Sequence, residues 1–365
     1  MSTSASRRRF PPPRRALALA AAAGLALSLA GCSGIAGGDG SSDGTGGKVA
    51  LLLPDAKTAR YETFDRPMFE NRIAELGPYQ VLYSNADQDA AKQQQQAESA
   101  LAAGAQVLVL DPVDSEAAIS IVSAANAQHV PVISYDRLIG GGDLAYYVSF
   151  DNEKVGRLQA TEFVNALKAE GDASGGILMV DGSPTDNNAT LFARGAHSVI
   201  DKTGLHILAE YRTPDWSPDK AQAWVAGQIS QYGDQIKGVY AANDGIAGGA
   251  VSALHAANVE PFPIVTGQDA ELSAIQRILT GDQHMTVYKA IKPEAELAAE
   301  VAVSLLKGET VTAPLEIQGT PATLLDPVGV TIDNIGETVV ADGFWTLDDI
   351  CTPAYRHACV AAGLR

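Results

Sequence analysis

Polar residues that resist burial recur in this chain at the ends of apolar runs. The stretch PVISYDRLIGG, Pro131 to Gly141, passes from β-branched residues straight into Asp136 and Arg137. Such side chains stay out of a core unless they are paired or bound to something. Asp55 follows VALLLP, Asp111 follows QVLVL, Asp181 follows GILMV, Asn243 and Asp244 follow GVYAA, and Gln268 and Asp269 follow FPIVTG. Two chemistries suit this set. A carboxylate pair such as Asp136 with Asp269 is what a glycosidase uses, and carboxylates equally accept hydrogen bonds from neutral hydroxyls. Other catalytic signatures are missing: there is no H-E-x-x-H or G-x-G-x-x-G, and the six histidines are scattered. GTGGK resembles a phosphate loop only superficially, because its spacing is wrong and Lys48 is followed by Val49.

The elements that carry these residues alternate. VALLLP, YQVLYS, QVLVLDP and VPVISYD are strand-like and are separated by FDRPMFENRIAELG, DAAKQQQQAESALAAG and SEAAISIVSAANAQH. The rhythm restarts after AYYVSFDN with GILMVDGS, HILAEYRT, IKGVYAAND and FPIVTGQD. This βα alternation predicts parallel sheets covered by helices on both faces, and its restart predicts two doubly wound α/β lobes. In open parallel sheets ligands bind at the C-terminal ends of the strands, where every polar residue named above lies. Asp111 and Asp181 are assigned as helix N-caps. Asp136 and Arg137 are placed at a cleft, and because a strand end is not the core, loss of either side chain is expected to leave the fold intact.

Asp accepts two hydroxyl hydrogens, Arg and Lys donate to hydroxyl and ring oxygens, and Asn does both, which together satisfy a ring of vicinal hydroxyls. Tyr61 and Trp216 are candidates for an aromatic plate against the apolar face of a pyranose. The segments YDRLI, YVSFDNEKVGRLQA, GSPTDNNATLF, ANDGIAGGA, TGQDAEL and MTVYK, in this order from Lys48 to Trp345, resemble the periplasmic xylose-binding proteins of ABC importers and their relatives that bind several aldoses. The resemblance implies a type I periplasmic binding protein, two lobes joined by a three-stranded hinge that close on one monosaccharide, most of all D-xylose. It implies sugar ligands at Arg60, Tyr61, Asp136, Arg137, Asp186, Asn188, Trp216, Asn243, Asp269 and Lys289. Tyr61 stands where the family tends to have Trp, and Ala290 follows Lys289 where Pro is usual. The resemblance implies a membrane permease as partner and a monomer with no enzymatic activity, cofactor or metal; a multiple-aldose binder or sugar-sensing co-receptor is the alternative.

The N-terminus reads as an export leader. SRRRF with Arg14 and Arg15 forms a basic n-region without an acidic residue, and ALALAAAAGLALSLA is an apolar h-region too short to span a membrane comfortably. LAGC, ending in Cys32, resembles a bacterial lipobox, which implies acylation of Cys32 and a lipoprotein on the outer side of the cytoplasmic membrane. SRRRF also resembles the start of a twin-arginine signal. Residues 32–47 then form a Gly/Ser/Asp tether. Removing residues 1–31 takes away five arginines and leaves 21 basic against 43 acidic residues, a net charge of −22. Nucleic acid is thereby excluded as a partner, since its binding rests on Lys and Arg neutralising phosphates.

The lobes are expected over 48–149 with 288–318 and over 150–287 with 319–345. Crossings are expected near Val148–Asp151, Met285–Lys289 and Leu315–Thr320 or slightly later. A tail, 346–365, follows. In an exported chain its Cys351 and Cys359 read as a disulfide; adding His357 gives three metal ligands but no fourth at zinc spacing.

Overall fold

The computed structural model describes residues 46–364. The leader, Cys32 and most of the tether lie outside the described residues.

The first lobe is built from β1 (Lys48–Leu53), α1 (Arg66–Leu76), β2 (Gln80–Asn85), α2 (Ala90–Ala102), β3 (Val107–Leu110), α3 (Ile119–Asn126), β4 (Val132–Tyr135) and β5 (Tyr146–Phe150). The second contains α4 (Asn152–Ala169), β6 (Gly176–Asp181), α5 (Asn187–Ile200), β7 (His206–Arg212), α6 (Pro218–Tyr232), β8 (Ile236–Ala241), α7 (Asp244–Ala256), β9 (Ile264–Thr266), α8 (Leu272–Thr280) and β10 (Met285–Tyr288). The chain then returns to the first lobe through α9 (Ile291–Leu306), β11 (Leu315–Ile317) and β12 (Thr320–Leu325). It ends in the second with β13 (Val328–Thr331), α10 (Leu347–Ile350) and α11 (Arg356–Ala361).

Strand order is β11-β12-β5-β4-β3-β1-β2 in one sheet and β13-β10-β9-β8-β6-β7 in the other. All pairings are parallel except β11 with β12 and β10 with β13. The apolar runs are continuous because each strand is covered on both faces. Along β1, Val49, Leu51 and Leu53 pack towards α1 and α9, while Ala50 and Leu52 pack towards α2 and α3. In β6, Leu178 and Val180 face the α6–α7 side and Ile177 and Met179 the opposite one.

Sheet pairing moves one expected boundary. Residues 319–325 do not belong to the second lobe: β12 runs parallel to β5, with Ala322 opposite Tyr147 and Leu325 opposite Phe150. The cause is a tight hairpin, in which Gln318 and Gly319 both take positive φ, 51° and 82°, as a two-residue turn between antiparallel strands requires. The third crossing is therefore at Asp326–Pro327, after the Leu315–Thr320 window. The other two fall at Asp151 and at Lys289–Ala290.

The tail is part of the second lobe. Cys351 and Cys359 are joined in a disulfide, so neither thiol is free to ligate a metal. Ile350 and Cys359 are buried in one apolar cluster with Ile275 and Ile278 of α8.

Candidate ligand-binding site

Both sheets aim their C-terminal strand ends at a single cavity of about 270 Å³ between the lobes. All ten residues singled out from the sequence line it, together with Thr58, Phe192 and Gln268.

The first lobe supplies the charged wall. Asp136 follows β4 with φ of 53°, a left-handed conformation uncommon for a residue with a side chain. Its backbone is fixed by Asp136 N donating to Val148 O at 2.9 Å and by the Ser149 hydroxyl donating to Asp136 O at 2.5 Å. The Tyr61 hydroxyl donates to Asp136 Oδ2 at 3.2 Å and accepts from Arg137 Nη2 at 3.1 Å. Arg60 opens a π-helical turn, Tyr61–Asp65. Its guanidinium grips both Asp65 oxygens, at 2.9 and 2.6 Å, and donates to Glu294 Oε2 of α9 at 2.6 Å. That leaves Nη1, which lies 3.2 Å from Asp136 Oδ1 but has no aligned hydrogen-bond partner.

Arg137 is the hub of the other half of this wall. Nε lies 2.9 Å from Asp186 Oδ2, Nη1 donates to Pro112 O at 3.2 Å, and Asp55 and Asp111 are 3.5 and 3.6 Å away. It is only 3% exposed and lies within 3.6 Å of three buried acidic side chains, which argues against the expectation that this strand end can lose its side chain without harm to the fold. Burial would push the Asp136 carboxyl up, but Arg60, Lys289 and Arg137 outweigh that and hold it below its ordinary range. At Asp111 burial wins, and the carboxyl is pushed well up despite Arg137. Glu294 is likewise pushed up by burial, against the pull of Arg60.

The assigned N-caps are also corrected. Both oxygens of Asp111 and of Asp181 lack hydrogen-bond partners. Asp181 is pushed up to about 7, chiefly by burial and then by the carboxylate of Glu210. Asp186 Oδ1 caps α5 by accepting from Asn188 N at 2.7 Å, whereas α3 begins after Ala118 without a side-chain cap and Asp114 Oδ1 accepts from the Glu116 and Ala117 amides in the turn before it. The strand-end position alone does not make a cap, because the loop between strand and helix decides which residue reaches the free N–H groups.

The second lobe supplies amides, one ion pair and the aromatic wall. Asn188 Nδ2 donates to Asp136 O at 3.0 Å, across the cleft, and its Oδ1 has no partner. Asn243 Oδ1 caps α7 through Ile246 N at 2.9 Å, which leaves its NH2 group for the cavity. Asp269, at φ 101°, follows β9, and Lys289 Nζ lies 2.9 Å from its Oδ1 without hydrogen-bond alignment. Gln268 Nε2 donates to Asp269 Oδ2 at 3.2 Å, and Gln268 Oε1 is unpartnered.

Trp216 both lines the cavity and packs. Its Nε1 donates to Asp186 Oδ2 at 3.0 Å, and its ring meets Phe192 edge-on at 6.3 Å. Gly182 allows this, since a Cβ there would sit 2.0 Å from Trp216 Cη2. The lobes also touch beyond the cavity, where Ser115 N donates to Thr185 O at 3.0 Å and Asn187 N to Ser115 Oγ at 3.2 Å.

Two lining residues, Thr58 and Phe192, and two supporting ones, Asp65 and Glu294, were not singled out from the sequence, and Gln268 was named there as a strand-end residue but not among the ten ligands. Phe192 carried a usable signal, because it lies one helical turn after Asn188 and so shares its face. Gln268 sits beside Asp269 at a strand end. Thr58, Asp65 and Glu294 had no local signal, and Glu294 reaches Arg60 only because α9 returns to the first lobe.

The periplasmic binding protein domain profile matches residues 49–310. The D-xylose-binding periplasmic protein of Haemophilus influenzae is 38% identical over 311 residues, 83% of this chain and 92% of that protein. The D-xylose-binding periplasmic protein of Escherichia coli is 34% identical and covers 81% of this chain and 90% of its own length. Among solved structures, an ABC transporter solute-binding protein from Clostridium phytofermentans with bound β-D-glucose superposes with a TM-score of 0.76 at 27% identity, over 83% of this chain and 99% of that one. With two α/β lobes of the type I arrangement and a profile match over most of its length, the chain belongs to the periplasmic binding protein family.

Proposed function

We propose that this protein captures one monosaccharide, D-xylose in preference to others, between its lobes and delivers it to the membrane permease of an ABC-type importer. One observation carries the reading: the small cavity is bordered by buried polar atoms without hydrogen-bond partners, both donor (Arg60 Nη1) and acceptor (Asn188 Oδ1, Gln268 Oε1). Leaving such groups unmet costs about 1–3 kcal/mol each, and a neutral polyol both donates and accepts. The names of the H. influenzae and E. coli relatives point to D-xylose. No covalent step is required. Asp136, held ionised, cannot serve as the general acid of a glycosidase.

Sugar bound by both lobes favours the closed form because only that form satisfies both sets of contacts. Xylose and glucose share the hydroxyl pattern at C1 to C4 and differ by one CH2OH, so the same polar set holds both. Inverting a hydroxyl leaves a buried partner unmet, which discriminates more strongly than added bulk. The glucose-bound C. phytofermentans protein supports a multiple-aldose alternative. Calorimetric titration is expected to rank D-xylose tightest, glucose weaker but measurable, and galactose and arabinose last. Tighter binding of galactose or arabinose than of xylose would replace the substrate assignment, and no binding of any aldose would overturn the function.

The protein acts as a monomer held to the outer side of the cytoplasmic membrane by acylated Cys32. Among the described residues no helix is long and apolar enough to cross a membrane. Cys32→Ser is therefore expected to move the protein from the membrane to the soluble fraction; equal membrane retention would refute the anchor.

A further inference from the structure

The π-helical turn Tyr61–Asp65 serves two surfaces. Arg60 and Tyr61 line the cavity, whereas Phe64 does not. Phe64 stacks on Phe344 with ring centroids 4.0 Å apart and meets Trp345 edge-on at 5.0 Å. A π turn carries an extra residue relative to an α turn and is often found at functional sites; here it serves the cavity and the aromatic contact from one short element. Phe344 and Trp345 belong to the other lobe, between β13 and the disulfide-closed tail, and lie beyond the profile-matched region 49–310.

Their contacts lead to the opposite wall of the site. Phe344 lies 5.0 Å from the ring of Tyr288, the residue before Lys289. Trp345 Nε1 donates to Ala270 O at 2.8 Å. Ala270, at φ 52°, follows Asp269, at φ 101°. One aromatic cluster thus connects the turn that carries Arg60 and Tyr61 to the backbone that sets Asp269 and Lys289. Burial of Ile350 and Cys359 against α8 and the Cys351–Cys359 bridge keep the tail in place behind it.

We propose that Phe64, Phe344 and Trp345 form a clasp between the lobes, positioning residues that favour the closed form and slow release of sugar without touching it. This rests on the binding-protein reading above. A contact made in only one of two conformations shifts their populations by its own free energy, and aromatic pairs of this geometry are strong enough to change a population about tenfold.

The test uses the whole protein, with stopped-flow measurement of D-xylose association and release and small-angle X-ray scattering of the sugar-free form. Phe64→Ala is expected to speed release about tenfold, leave the sugar ranking unchanged, and enlarge the sugar-free radius of gyration. Trp345→Phe, which removes the bond to Ala270 and keeps a smaller aromatic ring against Phe64 and Phe344, is expected to do the same more weakly. Should Phe64→Ala not fold, Phe64→Leu, which keeps an apolar side chain but loses the stack, takes its place. Unchanged release and unchanged scattering in a folded variant would overturn the clasp, as would an altered sugar ranking, which would mean that Phe64 acts on the sugar itself. If the unsubstituted protein bound no aldose, the functional reading would fall, while the scattering difference would still decide the clasp.

Discussion

Arg137→Ala is expected to abolish sugar binding and also to destabilise the sugar-free protein, by about 3–5 kcal/mol, the usual cost of removing one member of a buried ionic cluster. The guanidinium contacts Asp186 at 2.9 Å and lies within 3.6 Å of Asp55 and Asp111. Removing it leaves three buried carboxyl groups without their shared cation and frees the Pro112 carbonyl and the Tyr61 hydroxyl. Asp111 is already pushed well up by burial, with Arg137 as the largest opposing influence, so the variant raises it further. Denaturant unfolding of the sugar-free variant measures the stability loss, and calorimetry with D-xylose the binding loss. An unchanged unfolding midpoint would show that the arginine is a ligand contact alone.

Asp136→Ala separates binding from folding more cleanly. Its carboxylate faces Arg60, Arg137, Lys289, the Tyr61 hydroxyl and Asn188, whereas its backbone is held by Val148 and Ser149 through main-chain atoms that alanine retains. Truncating one partner of a buried, hydrogen-bonded charge pair costs about 2–5 kcal/mol of binding, or roughly thirty- to several-thousand-fold in affinity. The stability loss is expected to be smaller than for Arg137→Ala, because the cations left behind keep Asp65, Glu294, Asp186 and Asp269 as partners.

The same carboxylate fixes the direction of one pH effect. Its folded-state pKa lies below the ordinary carboxylate value of about 3.9, so its contribution to stability is fully present above that value. The contribution is lost as pH falls through the lowered folded pKa. Unfolding measured through that acid range should lose this component in Asp136→Ala. Equal acid sensitivity in the variant and the unsubstituted protein would show that other groups account for the effect.

The sequence by itself determined the alternation of buried strands and amphipathic helices, the division into two lobes, and the strand-end placement of the polar residues. Those features follow from local periodicity and from covering each sheet on both faces, as the two-sided burial of Val49 to Leu53 shows. It also marked ten of the thirteen residues that line the cavity, but Arg60, Asp186, Asn188 and Lys289 only with the help of a family pattern, because periodicity gives those four positions no strand-end or aromatic signal.

Only the tertiary structure decided what those residues do to each other. That Asp136 is held ionised while Asp111 is pushed well up depends on which cations lie within a few ångströms, and those come from positions far apart in the chain. Glu294 meets Arg60 from 234 residues away. The allocation of β12 to the first sheet and the meeting of Phe64 with Phe344 depend likewise on long-range pairing. Such contacts leave no periodic trace in the sequence, because the side chains that make them belong to segments whose proximity exists only once both lobes have folded.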